Sequence, residues 1–99
     1  MSDMRETLGH FARIRSKNAG PFWLTIDIFC TEASYDRVQA IATDTFAARL
    51  GAPELRRFDL PDLHVVKLSL PRPEIQGSLR DRDMHGAAMA QVLAGLNLR

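Results

Sequence analysis

Two short polar stretches hold most of the residues that could do chemistry. The first, at residues 15–21, reads R-S-K-N-A-G-P and combines two cations, a hydroxyl, an amide and a glycine. Gly20 permits a positive φ or a close backbone approach, and such loops form concavities of N–H groups that hold a phosphate or carboxylate. The stretch predicts an anion-binding loop; the alternative is an ordinary turn with solvated charges. It matches neither G-x-x-x-x-G-K-[ST] nor a dinucleotide fingerprint.

The second stretch, at residues 77–86, reads G-S-L-R-D-R-D-M-H-G and precedes the last helical pattern. Acids at a helix N-terminus are explained by capping and by the helix dipole. The arginines and the histidine are not, because cations at that end need an anion or acid beside them. They either pair locally with Asp81 and Asp83 or serve a bound anion.

We expect the fold to bring the two stretches together. The predicted anion-binding set consists of polar side chains and one glycine: Arg15, Ser16, Lys17, Asn18, Gly20, Ser78, Arg80, Arg82 and Asp83. His85 is a candidate general acid or base, with Asp83 or Asp27 as its orienting partner, and we pair it with Asp27 as the candidate catalytic residues. Asp27 lies in the middle of a predicted strand. If it is buried, it needs a hydrogen bond or a charge partner, and Arg15 and Lys17 are near in sequence.

No metal site or cofactor is predicted. The three histidines are not at ligand spacing, and H-E-x-x-H is absent. The single cysteine, Cys30, has no second cysteine with which to form a disulfide or a thiolate cluster. Within an apolar strand it is a poor nucleophile, and we expect it to be a small core residue.

Composition is typical of one small globular domain spanning residues 1–99, with residues 1–6 as a polar arm. Apolar residues make up 45% and charged residues 25% of the 99, and apolar runs are far shorter than the roughly 20 residues of a spanning helix. The start, M-S-D-M-R-E, matches neither a secretory signal nor a transit peptide, so a cytoplasmic location is expected. A net charge of +1 gives no overall field for nucleic acid or membrane binding, and neither partner is expected.

Periodicity predicts the elements that position these residues. Residues 7–14 fit neither a clean strand nor a capped helix and are expected to be extended or irregular. Residues 22–30 form the strongest strand, with Trp23, Thr25, Asp27 and Phe29 on one face. One helix is expected, with Thr31 or Ser34 as its N-cap and Gly51 as its C-cap. Residues 54–60 and 63–70 predict a hairpin around Pro61-Asp62, followed by a second helix and a short strand at residues 96–98.

This order is β-α-β-β-α-β, which predicts an α+β, ferredoxin-like fold with an antiparallel sheet and both helices on one face. One face of such a sheet is bare. Here that face carries Trp23, Phe29 and Val65 beside Asp27, Lys67 and Ser69. Such a surface is typical of contact with another protomer, a partner or a ligand.

The chain also resembles a small bacterial family of unknown function. The residues that carry the resemblance read L-G-x-F-A-R-I-R-S-K-N-A-G-P-F-W-L-T-I-D-I and P-R-P-x-x-x-G-S-x-x-D-R-D-M-H-G-A. The family is related to a ferredoxin-fold domain associated with acyclic terpene utilisation (AtuA) type proteins, in which a similar A-R-S-G-D-K-G loop precedes a strand. The present chain has N-A-G in place of D-K-G. The resemblance implies a small subunit that works with a large AtuA-type protein on branched carboxylic acids or acyl-CoA thioesters.

Two hypotheses follow. In the first, the chain is an accessory subunit whose sheet docks on the larger partner, while its polar loops complete a carboxylate or CoA-phosphate site for a lyase- or hydratase-type reaction. In the second, the chain is a self-contained, homo-oligomeric isomerase, tautomerase or lyase that uses His85 and Asp27 as acid and base.

Overall fold

The computed structural model of the protein describes residues 7–71 and 88–98. The elements follow one another along the chain as α1 (Leu8–Phe11), β1 (Ala12–Asn18), β2 (Trp23–Cys30), α2 (Glu32–Gln39), α3 (Thr43–Leu50), β3 (Arg56–Leu60), a 3₁₀ turn (Pro61–Leu63) and β4 (Val65–Pro71). Residues 88–94 are helical. The protein is therefore a mixed α+β fold. None of the helices in these ranges has the length and apolar character needed to cross a bilayer.

The four strands form one antiparallel sheet in the order β1-β2-β4-β3. β1 lies where we expected extended or irregular chain at residues 12–14 and a loop at residues 15–18. They instead pair along their whole length with β2, from Ala12 opposite Cys30 to Asn18 opposite Leu24. The reason is visible in the sequence A-R-I-R-S-K-N, where cations alternate with smaller or apolar residues at the period of a strand.

The α+β class with an antiparallel sheet is confirmed, and the ferredoxin-like strand order is not. Three of the four predicted strands are present, with β4 between β2 and β3. The outer place beside β2 is taken by β1, an additional strand at the N-terminal side. The predicted last strand appears as one isolated bridge, in which Asn97 pairs with Thr7.

The single helix expected over residues 31–50 is two helices. Its start is as predicted: Thr31 caps α2, its hydroxyl accepting from the Ser34 N–H at 3.0 Å while the Thr31 N–H donates to the Ser34 hydroxyl at 3.0 Å. Its end is also as predicted, with Gly51 left-handed at φ 63°. Between them the chain breaks at Ala42, which is extended at ψ 144°.

Arg57 on β3 explains why the break is stable. Its guanidinium donates to the carbonyl of Gln39 at 2.7 Å and also to the carbonyl of Ile41, at the C-terminal end of α2. Its Nε donates to Asp59 at 2.8 Å. A cation at a helix C-terminus satisfies carbonyls that have no partner within the helix and complements the helix dipole.

The core lies between the helices and one face of the sheet. It joins apolar residues from β2, β4 and the helices: Leu24, Ile26, Ile28, Val66, Leu68, Leu70, Tyr35, Val38, Phe46, Leu50 and Leu93. The β3–β4 hairpin is confirmed, with left-handed His64 (φ 55°) completing the turn after Pro61–Leu63. Cys30 is half-buried and packs against the edge of this core.

Candidate anion-binding surface

The strand register defines a second sheet face, opposite the core, that we call the open face. Because side chains alternate along a strand and paired residues point the same way, its members can be read from the pairing. It consists of Arg13, Arg15, Lys17, Trp23, Thr25, Asp27, Phe29, Arg56, Phe58, Leu60, Val65, Lys67 and Ser69. The predicted grouping of Trp23, Thr25, Asp27 and Phe29 on one face is confirmed.

The open face is strongly cationic. Its described strands carry five cations (Arg13, Arg15, Lys17, Arg56 and Lys67) and one carboxylate, that of Asp27. The excess is therefore four positive charges on one face of a chain whose net charge is only +1. Such a concentration attracts anions and anionic protein surfaces.

Two of the arginines lie over aromatic rings at opposite ends of the face. The Arg13 guanidinium is 4.7 Å from the centroid of the Phe29 ring, and the Arg56 guanidinium is 5.4 Å from that of Trp23. Stacking holds each guanidinium by its plane and leaves its N–H groups at the edge for an anion. Within the described residues, no carboxylate forms an ion pair with Arg13, Arg15, Lys17 or Arg56.

Asp27 occupies the centre of the face, between Arg15 on β1 and Lys67 on β4. Its charge partner is Lys67, with Nζ 3.6 Å from Oδ1, and not Arg15 or Lys17 as expected. This distance is too long for a hydrogen bond, and Oδ1 is buried with no hydrogen-bond donor among the described residues. Lys67 therefore compensates the charge of Asp27, but the buried Oδ1 accepts no hydrogen bond from the described residues.

The first predicted loop is distributed over three places. Arg15 and Lys17 lie in β1 and project from the open face, whereas Ser16 and Asn18 alternate to the other side of that strand. Only Gly20 belongs to the turn that joins β1 to β2, and its φ of 81° confirms the predicted positive value. The prediction of a concave loop of N–H groups at residues 15–18 is wrong, because those residues form a strand.

The second predicted loop, with Ser78, Arg80, Arg82, Asp83 and His85, lies outside the described residues. The predicted meeting of the two loops, and the pairing of His85 with Asp27, stay predictions. Within the described ranges, no three histidine, cysteine, aspartate or glutamate side chains lie close enough to hold a metal ion.

Comparison with known proteins assigns a family. The model described as "Domain of unknown function (DUF4387)" matches residues 8–97, nearly the whole chain. The chain belongs to the DUF4387 family. No curated protein and no solved structure was found to match it. The match includes every described strand, so the open face belongs to the family domain.

Cys30 and Tyr35 form a second group of ionisable side chains in this DUF4387 domain, at the end of the sheet near His64. Burial raises the pKa of the Cys30 thiol, and a hydrogen bond with Ser34 offsets only part of that rise. Burial also raises the pKa of Tyr35, with the Asp59 carboxylate adding to the effect. The thiol is therefore protonated at neutral pH, which agrees with the expectation that Cys30 is a poor nucleophile.

Sequence reasoning missed Arg13 and Arg56 as members of this surface. The signal for Arg13 was the alternation of A-R-I-R-S-K-N, which marks β1 as a strand with three cations on one side. Arg56 gave no comparable signal, because its neighbour Arg57 has the same charge and points the other way. Only the pairing of β3 with β4 separates the two arginines.

Proposed function

We propose that this DUF4387 chain is a small accessory subunit of an AtuA-type enzyme complex and contributes an anion-binding surface to it. The observation that carries the proposal is the open face, where five cations surround one carboxylate. The substrates are branched carboxylic acids or their CoA thioesters, and the reaction is of the hydratase or lyase type. The chain needs no cofactor of its own, and the complex is cytoplasmic.

Charge and apolar area together favour a docked partner over a solvated face. Phe58 is 49% exposed, and Trp23 and Phe29 are half-buried on the same sheet face, on β2. Aromatic and arginine side chains are enriched in the centres of protein interfaces. Two copies of the same cationic face would repel one another, so an acidic surface on a different chain is the better partner.

The identity of the partner rests on the family resemblance. The motif residues that resemble the AtuA-associated domain run through Arg15 and Lys17, the two cations of the first predicted loop. Arg15 and Lys17 project from the open face, so the resembling motif and the cationic surface coincide. In the complex these cations, together with Arg80, Arg82 and His85 of the second stretch, contact the carboxylate or phosphate of the substrate.

We also infer that the fold is a variant of the ferredoxin-like fold. β2, β3 and β4 with the intervening helices form the split half of a ferredoxin-like fold, in which β1 takes the outer place of the last strand. An accessory domain of this form keeps one sheet face bare for the partner.

Co-expression with an AtuA-type protein of the same genome tests the docking. We expect the tagged chain to co-elute with it at about 0.1 M salt. The double variant Arg13→Gln/Arg15→Gln should weaken the complex about tenfold or more, because charges at an interface act on association. Raising the salt to about 1 M should also weaken it, since the Debye length falls from about 10 Å to about 3 Å.

The matched control changes the charge by the same amount on the helical side. Ala33 and Ala48 are exposed on α2 and α3, so Ala33→Glu/Ala48→Glu also lowers the net charge by two without touching the open face. This control should co-elute like the wild type. The proposal fails if the wild-type chain elutes alone, or if the two double variants bind equally.

A second candidate function is favoured by the buried Oδ1 of Asp27, which accepts no hydrogen bond from the described residues. An acceptor in that state suits a proton-transfer role in a self-contained isomerase, tautomerase or lyase that also uses His85. It predicts turnover of carboxylic acids or thioesters by the purified chain, lost in both His85→Ala and Asp27→Asn. A purified chain that is inert towards such panels excludes this candidate.

A further inference from the structure

One row of residues across the open face combines two cations with two hydroxyls. The strand register aligns Lys17 on β1, Thr25 on β2, Ser69 on β4 and Arg56 on β3. The two hydroxyl residues are central and half-buried, and the two cations are exposed at the edges. Directly opposed side chains in a sheet have Cβ atoms about 5 Å apart, so Thr25 and Ser69 form an adjacent hydroxyl pair.

The Arg56 guanidinium extends from the edge of this row towards the middle of the sheet. Arg56 starts on the edge strand β3, yet its guanidinium lies 5.4 Å from the centroid of the ring of Trp23 on β2. Those strands are two spacings apart, about 10 Å, with β4 between them. The guanidinium and the ring therefore meet above β4, the strand on which Ser69 is paired with Arg56.

Lys17 approaches the middle of the sheet from the other edge. Its Cα is paired with that of Thr25, and a lysine side chain of about 6 Å reaches over the neighbouring strand. The row thus offers an ammonium, a guanidinium and the Ser69 hydroxyl as donors, while the Thr25 hydroxyl donates to the Lys17 carbonyl at 3.5 Å. Within the described residues neither cation has a carboxylate partner that would compete.

We infer that this row binds a phosphoryl group. A carboxylate has two acceptor oxygens in one plane, whereas a phosphoryl group has three or more around a tetrahedral centre. The phosphoryl group also carries a negative charge of nearly two. Donors arriving from both edges and from the sheet below match the second arrangement. The inference rests on the proposed function in using the same face, and it narrows the ligand from an anion in general to a phosphate or phosphate ester.

The protein carries its own reporter, because Trp23 is its single tryptophan. The experiment titrates the purified full chain with inorganic phosphate at constant ionic strength and follows tryptophan fluorescence, with isothermal calorimetry as the second readout. We expect a saturable change, because an anion held by the Arg56 guanidinium alters the environment of the ring on which it lies. Sodium chloride and acetate at matched ionic strength should give no saturable change.

Variants locate the site. Arg56→Gln and Lys17→Gln should each weaken phosphate binding by tenfold or more, and Ser69→Ala by about threefold to tenfold, as expected for loss of a charged or a neutral hydrogen-bond donor. Arg37→Gln is the matched control, since Arg37 also lies over an aromatic ring, that of Phe11, but belongs to α2 on the helical side of the sheet. It should bind phosphate within about twofold of the wild type.

A coenzyme A arm distinguishes the source of the phosphoryl group. If coenzyme A binds at least tenfold more tightly than inorganic phosphate, and Arg56→Gln weakens the binding of both alike, the ligand is of the CoA type. If the two affinities are equal, the ligand is a simpler phosphate ester. The inference is overturned if no saturable change occurs, if acetate binds as well as phosphate, or if Arg37→Gln and Arg56→Gln weaken binding equally. These titrations use the isolated chain, so their failure is separate from a failure to bind the AtuA-type partner.

Discussion

Two neighbouring arginines on β3 show how completely strand geometry can divide one residue type. Arg57 is 11% exposed in its side chain and donates to carbonyls at the end of α2, whereas Arg56 projects from the open face and lies over Trp23. The sequence R-R-F-D-L does not distinguish their roles. Their roles follow from alternation along the strand together with the side on which the helices pack.

Replacing Arg57 should destabilise the protein strongly. Arg57→Ala removes charged donors from the carbonyls of Gln39 and Ile41 at the break between α2 and α3. We expect a loss of about 2–3 kcal/mol in the free energy of unfolding, measured by urea denaturation. Arg56→Ala is the control and should lie within about 0.5 kcal/mol of the wild type. Equal losses in the two variants would contradict the assigned roles.

The raised pKa of Cys30 predicts a loss of stability in alkali. Burial keeps the folded thiol protonated at a pH where the unfolded thiol ionises, so the unfolded state binds fewer protons and stability falls as pH rises. The loss should begin near the ordinary thiol pKa of about 8.5 and continue to the folded pKa. Below that range there is no such loss.

Urea midpoints of the wild type and of Cys30→Ala between pH 7 and pH 10 measure this effect. Tyr35 is present in both proteins, so the rise in its pKa caused by burial and by Asp59 is common to both, and only the part caused by Cys30 is lost in the variant. The wild type should lose more stability than the variant above about pH 8.5. Parallel curves would show that Cys30 titrates alike in the folded and unfolded states.

Among the secondary-structure elements, those with a strong local sequence pattern were predicted best. Strand β2, the β3–β4 hairpin, the Thr31 cap and the Gly51 cap were all predictable, because alternation and capping residues act locally. The helix break at Ala42 was not, since the side chain that stabilises it, Arg57, comes from β3. β1 was missed because its polar residues resembled a loop, although their alternation was that of a strand.

The capping box at the start of α2 makes a second stability prediction. Thr31→Ala removes the hydroxyl that accepts from the Ser34 N–H, and we expect a loss of about 1 kcal/mol in thermal or urea unfolding. The exposed Thr45 within α3 is the matched position. Thr45→Ala should be neutral or slightly stabilising, because alanine is the better helix former. A Thr31→Ala protein as stable as Thr45→Ala would mean that the cap is not needed.

For the whole molecule, the important property is how charge is distributed. The chain has 13 basic and 12 acidic residues, and this near balance predicted no overall field for nucleic acid or membrane binding. Sheet pairing nevertheless collects five of the cations on one face, from β1 and from the β3–β4 hairpin, which are far apart in sequence. The candidate residues Arg15, Lys17 and Asp27 could be found from the sequence. Only the strand register shows that they share a sheet face with Arg56, Thr25 and Ser69.

Lysine footprinting measures whether the open face docks on the AtuA-type partner that we propose. The two lysines of the chain, Lys17 and Lys67, both lie on that face. A variant carrying Ala48→Lys adds a reference lysine on the exposed side of α3. Acetylation rates of the three amines are measured by mass spectrometry with and without the partner. We predict at least fivefold protection of Lys17 and Lys67 and none of the reference, and equal rates with and without the partner at all three positions would contradict the claim.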